Sequence, residues 1–229
     1  MILASASPRR RELLGALGVE FEVRPANINE DPLPGESPLA TQHRITLEKA
    51  RAAEKGLEIR DWRLSRTIQS PISNLQSLII ACDTTVLLDG EMLNKPADAA
   101  EAWAMLRKLR NRAHEVQSCI VIKRSGEEGK EEGEEIIDVV SSQVVMRDYS
   151  DAEIATYIAT GDPFDKAGSY AVQHELFHPV AEIRGCPLNV IGLALCRLRA
   201  HLPQLPDCEQ VCAVYSGQPC RQHLAHDNV

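Results

Sequence analysis

The sequence contains no apolar run approaching the ~20 residues that a membrane-spanning helix requires. Its first residues also lack the basic segment, apolar stretch and small-residue cleavage site of a secretory leader. Basic residues are outnumbered, with 25 Lys and Arg against 33 Asp and Glu, and the formal net charge is −8. This balance argues against a broad surface for nucleic acid or for an anionic membrane. We therefore expect a cytoplasmic protein in which any anion site is a local cluster of cations that holds a small ligand.

The cysteines do not have the number or the spacing of a disulfide framework. The seven cysteines are odd in number and irregularly spaced, which is typical of thiols in a reducing compartment. No internal repeat is visible, and 229 residues suffice for one domain or two small lobes. We expect a folded domain of two lobes over residues 1–202 and a flexible tail over residues 203–229, where prolines, histidines and cysteines accumulate.

Strand and helix patterns alternate along the chain. Short apolar or alternating runs predict strands at residues 3–5, 21–24, 78–82, 86–88, 91–93, 115–123, 136–146 and 169–173. Helical spacing predicts helices at residues 11–17, 39–55, 99–109, 151–159 and 189–198. Residues 60–76 and 125–135 have no such period and are predicted to be surface loops. This order predicts an α/β (α+β) fold with a mixed twisted sheet and flanking helices.

The first strand leads directly into a polar segment. Ser7 and Pro8 follow it and are suited to the start of a helix, and Arg9 and Arg10 come next. A helix N-terminus with a hydroxyl and fixed positive charge is suited to holding phosphate oxygens. Alternatively, the serine is only a helix cap and the arginines are solvated.

Further polar residues lie where the predicted strands and turns end. The buried run at residues 78–82 is followed by Asp83 and Thr84, and the hairpin at Asp89-Gly90 leads to Lys95. Turn residues place a second polar group on a tight surface loop, with Gln173 on the strand behind it; the group consists of Asp162, Asp165 and Lys166.

These residue types complement one another chemically. Cations can neutralise a polyphosphate, while the carboxylates of Glu30 and Asp83, with Asp162 or Asp165, can hold a divalent metal and orient water. Together they indicate metal-assisted attack on phosphorus, in which positioning and charge stabilisation carry the catalysis. We expect these distant side chains to converge in one cleft.

Six short motifs occur in a fixed order along nearly the whole predicted domain. They are Leu3-Ala4-Ser5-x-Ser7-Pro8-Arg9-Arg10, Glu48-Lys49-Ala50, Asp83-Thr84, Lys95-Pro96, Gly161-x-Pro163-x-Asp165-Lys166-Ala167-Gly168 and Asn189-Val190-x-Gly192-Leu193. In this order they resemble the Maf family of nucleoside triphosphate pyrophosphatases. Each motif alone is weak evidence, whereas all six in register are specific.

The resemblance implies a two-lobed α/β fold with a central cleft, often as a homodimer. It implies hydrolysis of a nucleoside triphosphate between the α and β phosphates, a house-cleaning reaction that yields the monophosphate and pyrophosphate and uses Mg²⁺, Mn²⁺ or Co²⁺. By motif, Asp83 is the general base, Glu30 supports it and shares the metal with it, and Lys95 is the third catalytic residue. The implied substrate-binding residues are Ser7, Arg9, Arg10, Lys49, Thr84, Asp165, Lys166 and Gln173.

The substrate is implied by three of these positions. The family branch that acts on dTTP and UTP carries Arg, Thr and Gln where this chain has Arg9, Thr84 and Gln173, whereas the 7-methyl-GTP branch carries Glu in place of Gln173. A uracil or thymine edge offers one N–H donor beside carbonyl acceptors, and a glutamine amide offers an acceptor and a donor to match. The resemblance therefore implies dTTP, UTP and related modified pyrimidine nucleotides as substrates.

Other interpretations stay open. The family's association with septum formation allows a non-catalytic, nucleotide-binding regulator of cell division. His174 and His178 match the His-Glu-x-x-His pattern of zinc proteases, but Pro179 argues against the helix that this pattern needs.

The cysteines offer two weaker signals. A zinc site in the tail is conceivable, but the spacing fits no usual zinc finger; its candidates are Cys208, Cys212, Cys220, His223 and His226. Cys82, next to Asp83, could be redox-active, although its apolar surroundings favour packing in a buried strand.

Overall fold

The computed structural model describes residues 1–55, 78–124 and 134–216. The loop predicted at residues 60–76 lies outside the described residues, as does most of the loop predicted at residues 125–135. Gly56, the expected end of the second helix, and residues 217–229 lie outside them as well.

Helices and strands alternate through the described chain. The strands are β1 (Ile2–Leu3), β2 (Glu22–Val23), β3 (Leu78–Leu88), β4 (Glu91–Leu93), β5 (Ala113–Arg124), β6 (Glu135–Met146) and β7 (Val180–Arg184). The α-helices are α1 (Pro8–Gly15), α2 (Pro38–Lys55), α3 (Ala99–Leu109), α4 (Asp151–Ala159), α5 (Pro187–Ile191), α6 (Leu195–His201) and α7 (Glu209–Ser216). Two short 3₁₀ helices follow α4, at Asp162–Asp165 and Ala167–Ser169.

The strands of the described residues form one mixed sheet. Its order is β2-β1-β3-β5-β6-β7, with β4 beside β3. β1 pairs in parallel with β2 and with β3, while β4 pairs antiparallel with β3 and β7 antiparallel with β6. The predicted α/β fold with a mixed sheet is confirmed.

The helices with strong N-caps begin and end where the sequence predicts. Asp98 accepts a hydrogen bond from the backbone N–H of Glu101 at 2.8 Å and caps α3. Ser150 and Glu153 form a reciprocal capping box at the start of α4. In α1, Ser7 is the N-cap and Pro8 occupies the first turn, as the sequence predicts, although the apolar spacing alone indicated a helix only from residue 11.

β3 is longer than the sequence predicts. The polar pair Asp83-Thr84 was expected at the end of an apolar strand, but it lies inside an 11-residue strand. The reason is pairing on both sides of the polar pair, because Ile79 and Ile80 pair with β1 while residues 86–88 pair with β4. Asp83 and Thr84 therefore have the fixed backbone of a strand and not that of a loop.

The prediction of a strand at residues 169–173 is wrong. Residues 167–169 form a 3₁₀ helix, and residues 172–173 lie in a turn. The last strand is instead β7, at the sheet edge, where only one neighbour is needed. Two of its five residues are half-buried and the others are exposed, so it lacks the apolar pattern that would have predicted it.

The C-terminal part also differs from the prediction. The helix expected at residues 189–198 is two helices, because Gly192 has a φ of 136° and ends α5. Residues 209–216, expected to be an unstructured tail, form α7. This helix packs against α5 and buries Val211 and Cys212.

The chain forms two compact units. The first unit comprises Met1–Asp83, Cys119–Val139 and Gln204–Pro206, and the second comprises Thr84–Ser118, Val140–Pro203 and Asp207–Val229. The core of the first unit includes Ile2, Ala4, Ala50, Ala53, Ile79, Ala81, Cys119 and Val121. The core of the second unit includes Val86, Leu106, Leu109, Tyr149, Ile154 and Tyr157. None of the described helices is both long and apolar enough to cross a membrane.

Candidate active site

In the first unit, the turn from β1 into α1 is organised by two serines and an arginine. Ser7 is the N-cap of α1, as predicted, and its Oγ accepts from the backbone N–H of Arg10 at 3.5 Å. The Oγ of Ser5 accepts from the backbone N–H of Ser7 at 3.2 Å and from Nη1 of Arg10 at 3.1 Å. Arg10 is only 9% exposed, and Arg9 is half-buried. A buried guanidinium is thus fixed at a helix N-terminus, an arrangement suited to phosphate.

One face of α2 carries three buried polar side chains. Gln42, Thr46 and Lys49 follow one another at spacings of four and three residues, which places them on the same side of a helix. The Nε2 of Gln42 donates to the backbone oxygen of Asp83 at 3.2 Å, and Thr46 Oγ1 donates to the backbone oxygen of Gln42 at 2.7 Å. Gln42 was not among the predicted site residues, although its helical spacing with Lys49 is a sequence signal for it.

Lys49 joins two of the predicted catalytic carboxylates. Its Nζ lies 2.8 Å from Oδ1 of Asp83 and 2.9 Å from Oε1 of Glu30. The lysine side chain is 9% exposed and that of Asp83 17%, while Glu30 is half exposed. The three predicted residues are therefore in direct contact, with the ammonium between the carboxylates. Asp83 is held on its strand by α2 through both its backbone oxygen and its side chain.

The two carboxylates suit the predicted divalent cation. Since Oδ1 of Asp83 and Oε1 of Glu30 both lie within 3 Å of one nitrogen, they are less than about 6 Å apart. Oxygens on opposite sides of a Mg²⁺ ion are about 4.2 Å apart, because each bond is about 2.1 Å long. Glu30 and Asp83 can therefore reach one cation if the Lys49 ammonium, which lies between them here, moves aside. Carboxylate oxygens are the ligands that such ions prefer.

In the second unit, Thr84 belongs to a polar network with residues of β5, β6 and α5. Its Oγ1 shares a 2.8 Å hydrogen bond with Oγ of Ser118 on β5, whose hydroxyl donates to the backbone oxygen of Asn189 at 3.3 Å. The fully buried Asn189 donates through Nδ2 to the backbone oxygen of Val116 and to Oγ of Ser142, both at 3.0 Å. The Asn189 motif therefore positions the strand that carries Thr84, a role that its sequence alone did not reveal.

The segment after β4 contacts the turn that carries Lys166. The backbone oxygen of Asn94 accepts from the backbone N–H of Gly168 at 3.2 Å. Lys95, next to Asn94, is exposed to solvent. Gly168 has a φ of +69°, and a Cβ built on it would lie 3.0 Å from Cγ1 of Val86. Its lack of a side chain thus allows the turn to approach β3 closely.

We expect the substitution Gly168→Ala to lower the free energy of unfolding by roughly 2–3 kcal/mol, because it combines left-handed backbone with a steric contact at Val86. Gly161→Ala is the matched control: its φ is +79°, but nothing lies within 4 Å of its Cβ position. The free energy of unfolding of the control should fall only by the cost of the left-handed backbone conformation, about 1–2 kcal/mol. Urea unfolding of both variants measures the difference, and equal losses would contradict the role given to Val86.

Lys166 is buried, and not on the surface as predicted. It is 7% exposed, and its Nζ donates to the backbone oxygen of Asp162 at 2.7 Å, to Oδ1 of Asp162 at 2.8 Å and to Oδ1 of Asp165 at 2.6 Å. An ammonium has three protons, and these contacts account for all of them. The lysine is buried because the 3₁₀ turn wraps its backbone and carboxylates around the charge.

Asp162 also contacts the core of the second unit. Its Oδ2 accepts a hydrogen bond from the Tyr157 hydroxyl at 2.7 Å. Burial raises the pKa of Asp162, but the hydrogen bonds from Lys166 and Tyr157 outweigh it, and the net pKa is below the usual value. Burial raises the pKa of Tyr157, and the hydrogen bond to Asp162 raises it further. Asp162 is therefore an ionised anchor for the Lys166 turn.

Gln173 is exposed in the turn that follows, at residues 172–173. The histidine pattern beside it also forms turns: Nδ1 of His174 accepts from the backbone N–H of Phe177 at 3.0 Å, and the backbone N–H of His178 donates to the backbone oxygen of His174 at 3.2 Å. The helix required by a zinc-protease motif is not formed, as Pro179 predicted.

The predicted site residues thus form three local groups. The first unit holds the Ser7-Arg10 helix start and the Glu30-Lys49-Asp83 contact, and the second unit holds Lys166 with its two aspartates. Asp83 and Thr84 are successive residues and form the junction between the units along the chain. The first unit thus brings two carboxylates and fixed positive charge together, and these groups are suited to the chemistry of phosphate esters and anhydrides.

Comparison with known proteins gives consistent results. A family model described as Maf-like protein matches residues 1–205. A Geobacter sp. (strain M21) protein named dTTP/UTP pyrophosphatase is 41% identical over 198 residues, which cover 86% of this chain and 91% of the relative. Proteins of the same name from Anaeromyxobacter dehalogenans (strain 2CP-1) and Thermomicrobium roseum are 41% and 39% identical, over 88% and 85% of this chain and 92% and 79% of theirs.

Proposed function

This chain belongs to the Maf-like protein family, and from that premise we propose that it hydrolyses nucleoside triphosphates to the monophosphate and pyrophosphate, with dTTP and UTP as preferred substrates. The matched relatives are named for this activity and align over most of their length. The observation that carries the proposal at the level of residues is the contact of Lys49 with both Asp83 and Glu30.

In this proposal Asp83 is the general base. Its carboxylate takes a proton from water, the water oxygen forms a bond to the α phosphorus, and the bond from the α phosphorus to the bridging oxygen breaks, so that pyrophosphate leaves. The fixed position of Asp83 supports this role, because Gln42 and Lys49 hold its backbone and its side chain on β3. A positioned base avoids the entropic cost of orienting the water.

Glu30 and Asp83 would hold the divalent cation, with Mg²⁺, Mn²⁺ or Co²⁺ as candidates. Such a cation neutralises phosphate charge and lowers the pKa of bound water when it is present. Lys49 contacts both carboxylates and so keeps them close to each other. Two carboxylates held this close can supply oxygen ligands to one ion.

The phosphates are the proposed ligands of the cationic residues. In the first unit Ser7, Arg9 and Arg10 form the start of α1, and Lys49 lies beside Asp83. In the second unit the family roles of Lys95, Thr84, Asp165 and Lys166 stay predictions. The cytoplasmic location and the homodimer also stay predictions.

A phosphate-release assay tests the proposal. The chain is incubated with Mg²⁺ or Mn²⁺ and with dTTP, UTP, CTP, GTP or ATP in turn, and phosphate is measured with malachite green with and without added inorganic pyrophosphatase. We expect phosphate only when pyrophosphatase is added, and at higher rates for dTTP and UTP. Phosphate release without pyrophosphatase would indicate cleavage at the γ phosphate and contradict the proposal. Nucleotide binding without any release would instead favour the non-catalytic regulator.

The base preference gives a second test. We expect Gln173→Glu to lower the ratio of kcat/KM for UTP to that for GTP about tenfold, because a carboxylate cannot donate to a uracil carbonyl. Gln143→Glu is the matched control, since it makes the same charge change in the same unit at a side chain that contacts Arg184. Competition assays with UTP and GTP measure the ratio. An unchanged ratio in the Gln173 variant would show that the base is recognised elsewhere.

A further inference from the structure

Three cysteine thiols come together at the C-terminal end of the second unit. Sγ of Cys196 lies 3.1 Å from Sγ of Cys208 and 3.4 Å from Sγ of Cys212, and all three sulfurs lie within 4.8 Å of one another. Their exposed fractions are 8%, 4% and 2%. We call these residues the cysteine cluster. Among the residues that the structure describes, it is the one group of at least three metal-ligating side chains whose ligand atoms lie close enough together to bind a single ion.

The local fold explains how the cluster forms. Cys208 and Cys212 are four residues apart, and the backbone N–H of Cys212 donates to the backbone oxygen of Cys208 at 2.8 Å, so that one helical turn aligns the two thiols. Asp207 caps this turn, because its Oδ1 accepts from the backbone N–H of Glu209 at 2.7 Å. Cys196 comes from α6, and the loop at residues 202–207 returns the chain to it.

We propose that the cysteine cluster binds Zn²⁺. Zinc–thiolate bonds are about 2.3 Å long, so sulfurs on one tetrahedral ion are about 3.8 Å apart. The two short sulfur–sulfur distances, 3.1 and 3.4 Å, are below this value by less than about 1 Å, and the third pair lies within 4.8 Å. Small side-chain rotations therefore bring all three sulfurs to bonding distance. Thiolates are soft ligands that select zinc over magnesium or calcium.

A disulfide explains the cluster less well. A disulfide joins two sulfurs at about 2.05 Å and would leave the third cysteine of this buried group outside the bond. A zinc ion engages all three, with three thiol protons released to solvent as the bonds form. The cluster also includes a cysteine pair within one helical turn, a spacing at which one ion can bind both side chains.

Charge near the cluster is compatible with bound thiolates. Three thiolates and one Zn²⁺ carry a net charge of −1. Nη1 of Arg199 lies 3.2 Å from Oδ2 of Asp207, the residue before Cys208, and Arg199 is three residues from Cys196 on the same helix. Its Nε is buried and finds no hydrogen-bond partner in residues 1–55, 78–124 and 134–216. Asp207 is thus paired with a cation and adds no uncompensated negative charge next to Cys208.

Two of the three cysteines lie beyond the residues that the family model matches, whereas Cys196 lies within them. The family model ends at residue 205, and Cys208 and Cys212 follow it. Zinc binding would fasten α7 to α6, in the part of the second unit where α7 also packs against α5. The inference therefore concerns the attachment of this helix and does not depend on the proposed function.

Metal content and cobalt spectroscopy of the full-length chain test the inference. The chain is purified under reducing conditions from zinc-supplemented medium, and inductively coupled plasma mass spectrometry measures the metal. We expect about one zinc per chain, falling at least fivefold in the Cys208→Ser/Cys212→Ser variant. Cys119→Ala is the matched control, because Cys119 is equally buried but belongs to the first unit, and it should keep its zinc.

A second measurement requires no variant. The reduced, metal-free chain is titrated with Co²⁺, and we expect thiolate-to-cobalt charge-transfer absorption and the intense visible bands of tetrahedral cobalt, both removed by one equivalent of Zn²⁺. Absence of these bands in the reduced chain would overturn the inference. Full zinc retention in the double cysteine variant would overturn it too, since the metal would then lie elsewhere.

Discussion

Replacing Asp83 with asparagine is expected to lower kcat for dTTP hydrolysis about 10³-fold while the protein stays folded. The general base accounts for a loss of this size, because asparagine cannot accept the proton of the attacking water. The fold should be kept because the amide oxygen of asparagine can still accept from Nζ of Lys49, and the backbone oxygen at this position still accepts from Gln42. We expect the free energy of unfolding to change by less than about 1 kcal/mol.

Steady-state kinetics and urea unfolding measure the two quantities. Asp89→Asn is the matched control, because it removes one carboxylate six residues further along the chain, at the hairpin turn after β3, where it contacts Arg112. Its φ of 54° is one that asparagine tolerates well. The control should keep its kcat within about twofold. An Asp83 variant with more than a tenth of the normal kcat would rule out Asp83 as the base.

Replacing Lys49 with methionine is expected to lower kcat/KM about 10²-fold and the free energy of unfolding by roughly 2 kcal/mol. The first loss follows from removing a positive charge that is proposed to contact the phosphates and that holds the base. The second follows because the carboxylates of Asp83 and Glu30 lose the ammonium between them. Since Glu30 is half exposed, the loss should be smaller than for a fully buried pair.

Steady-state kinetics and urea unfolding measure the two losses. Lys123→Met is the matched control: Lys123 also lies in the first unit and contacts one carboxylate, that of Glu54, at 2.6 Å. The control should keep its kcat/KM within about twofold. A Lys49 variant whose kcat/KM is as high as that of the control would contradict the role proposed for Lys49.

Several features of the fold follow from local sequence. The bounds of α3 and α4 are those predicted, because Asp98 and Ser150 cap them and their apolar residues keep helical spacing. The Asp89-Gly90 turn joins β3 to β4 as predicted, since both residues have positive φ. Such signals reside within a few residues of the chain and need no tertiary partner.

The edges and the C-terminal region could not be predicted in this way. β7 is mostly exposed and has only one neighbouring strand, so its sequence carries no apolar alternation. The sequence predicted Lys166 to lie on a surface loop. The oxygens of Asp162 and Asp165 that surround its ammonium come together only when the turn folds. The partners of Asn189 and Thr84 are likewise distant in sequence, and they meet only in the folded second unit.

The sequence by itself determined the α/β class, the family and the identity of the candidate catalytic residues, because these depend on residue types and on their order along the chain. Only the tertiary structure decided that Lys49 lies between Asp83 and Glu30, that Gln42 contacts the same strand, and that Cys196 meets Cys208 and Cys212. The physical reason is that hydrogen bonds, ion pairs and metal ligation act over a few ångströms, and chain folding alone brings residues far apart in sequence within that distance.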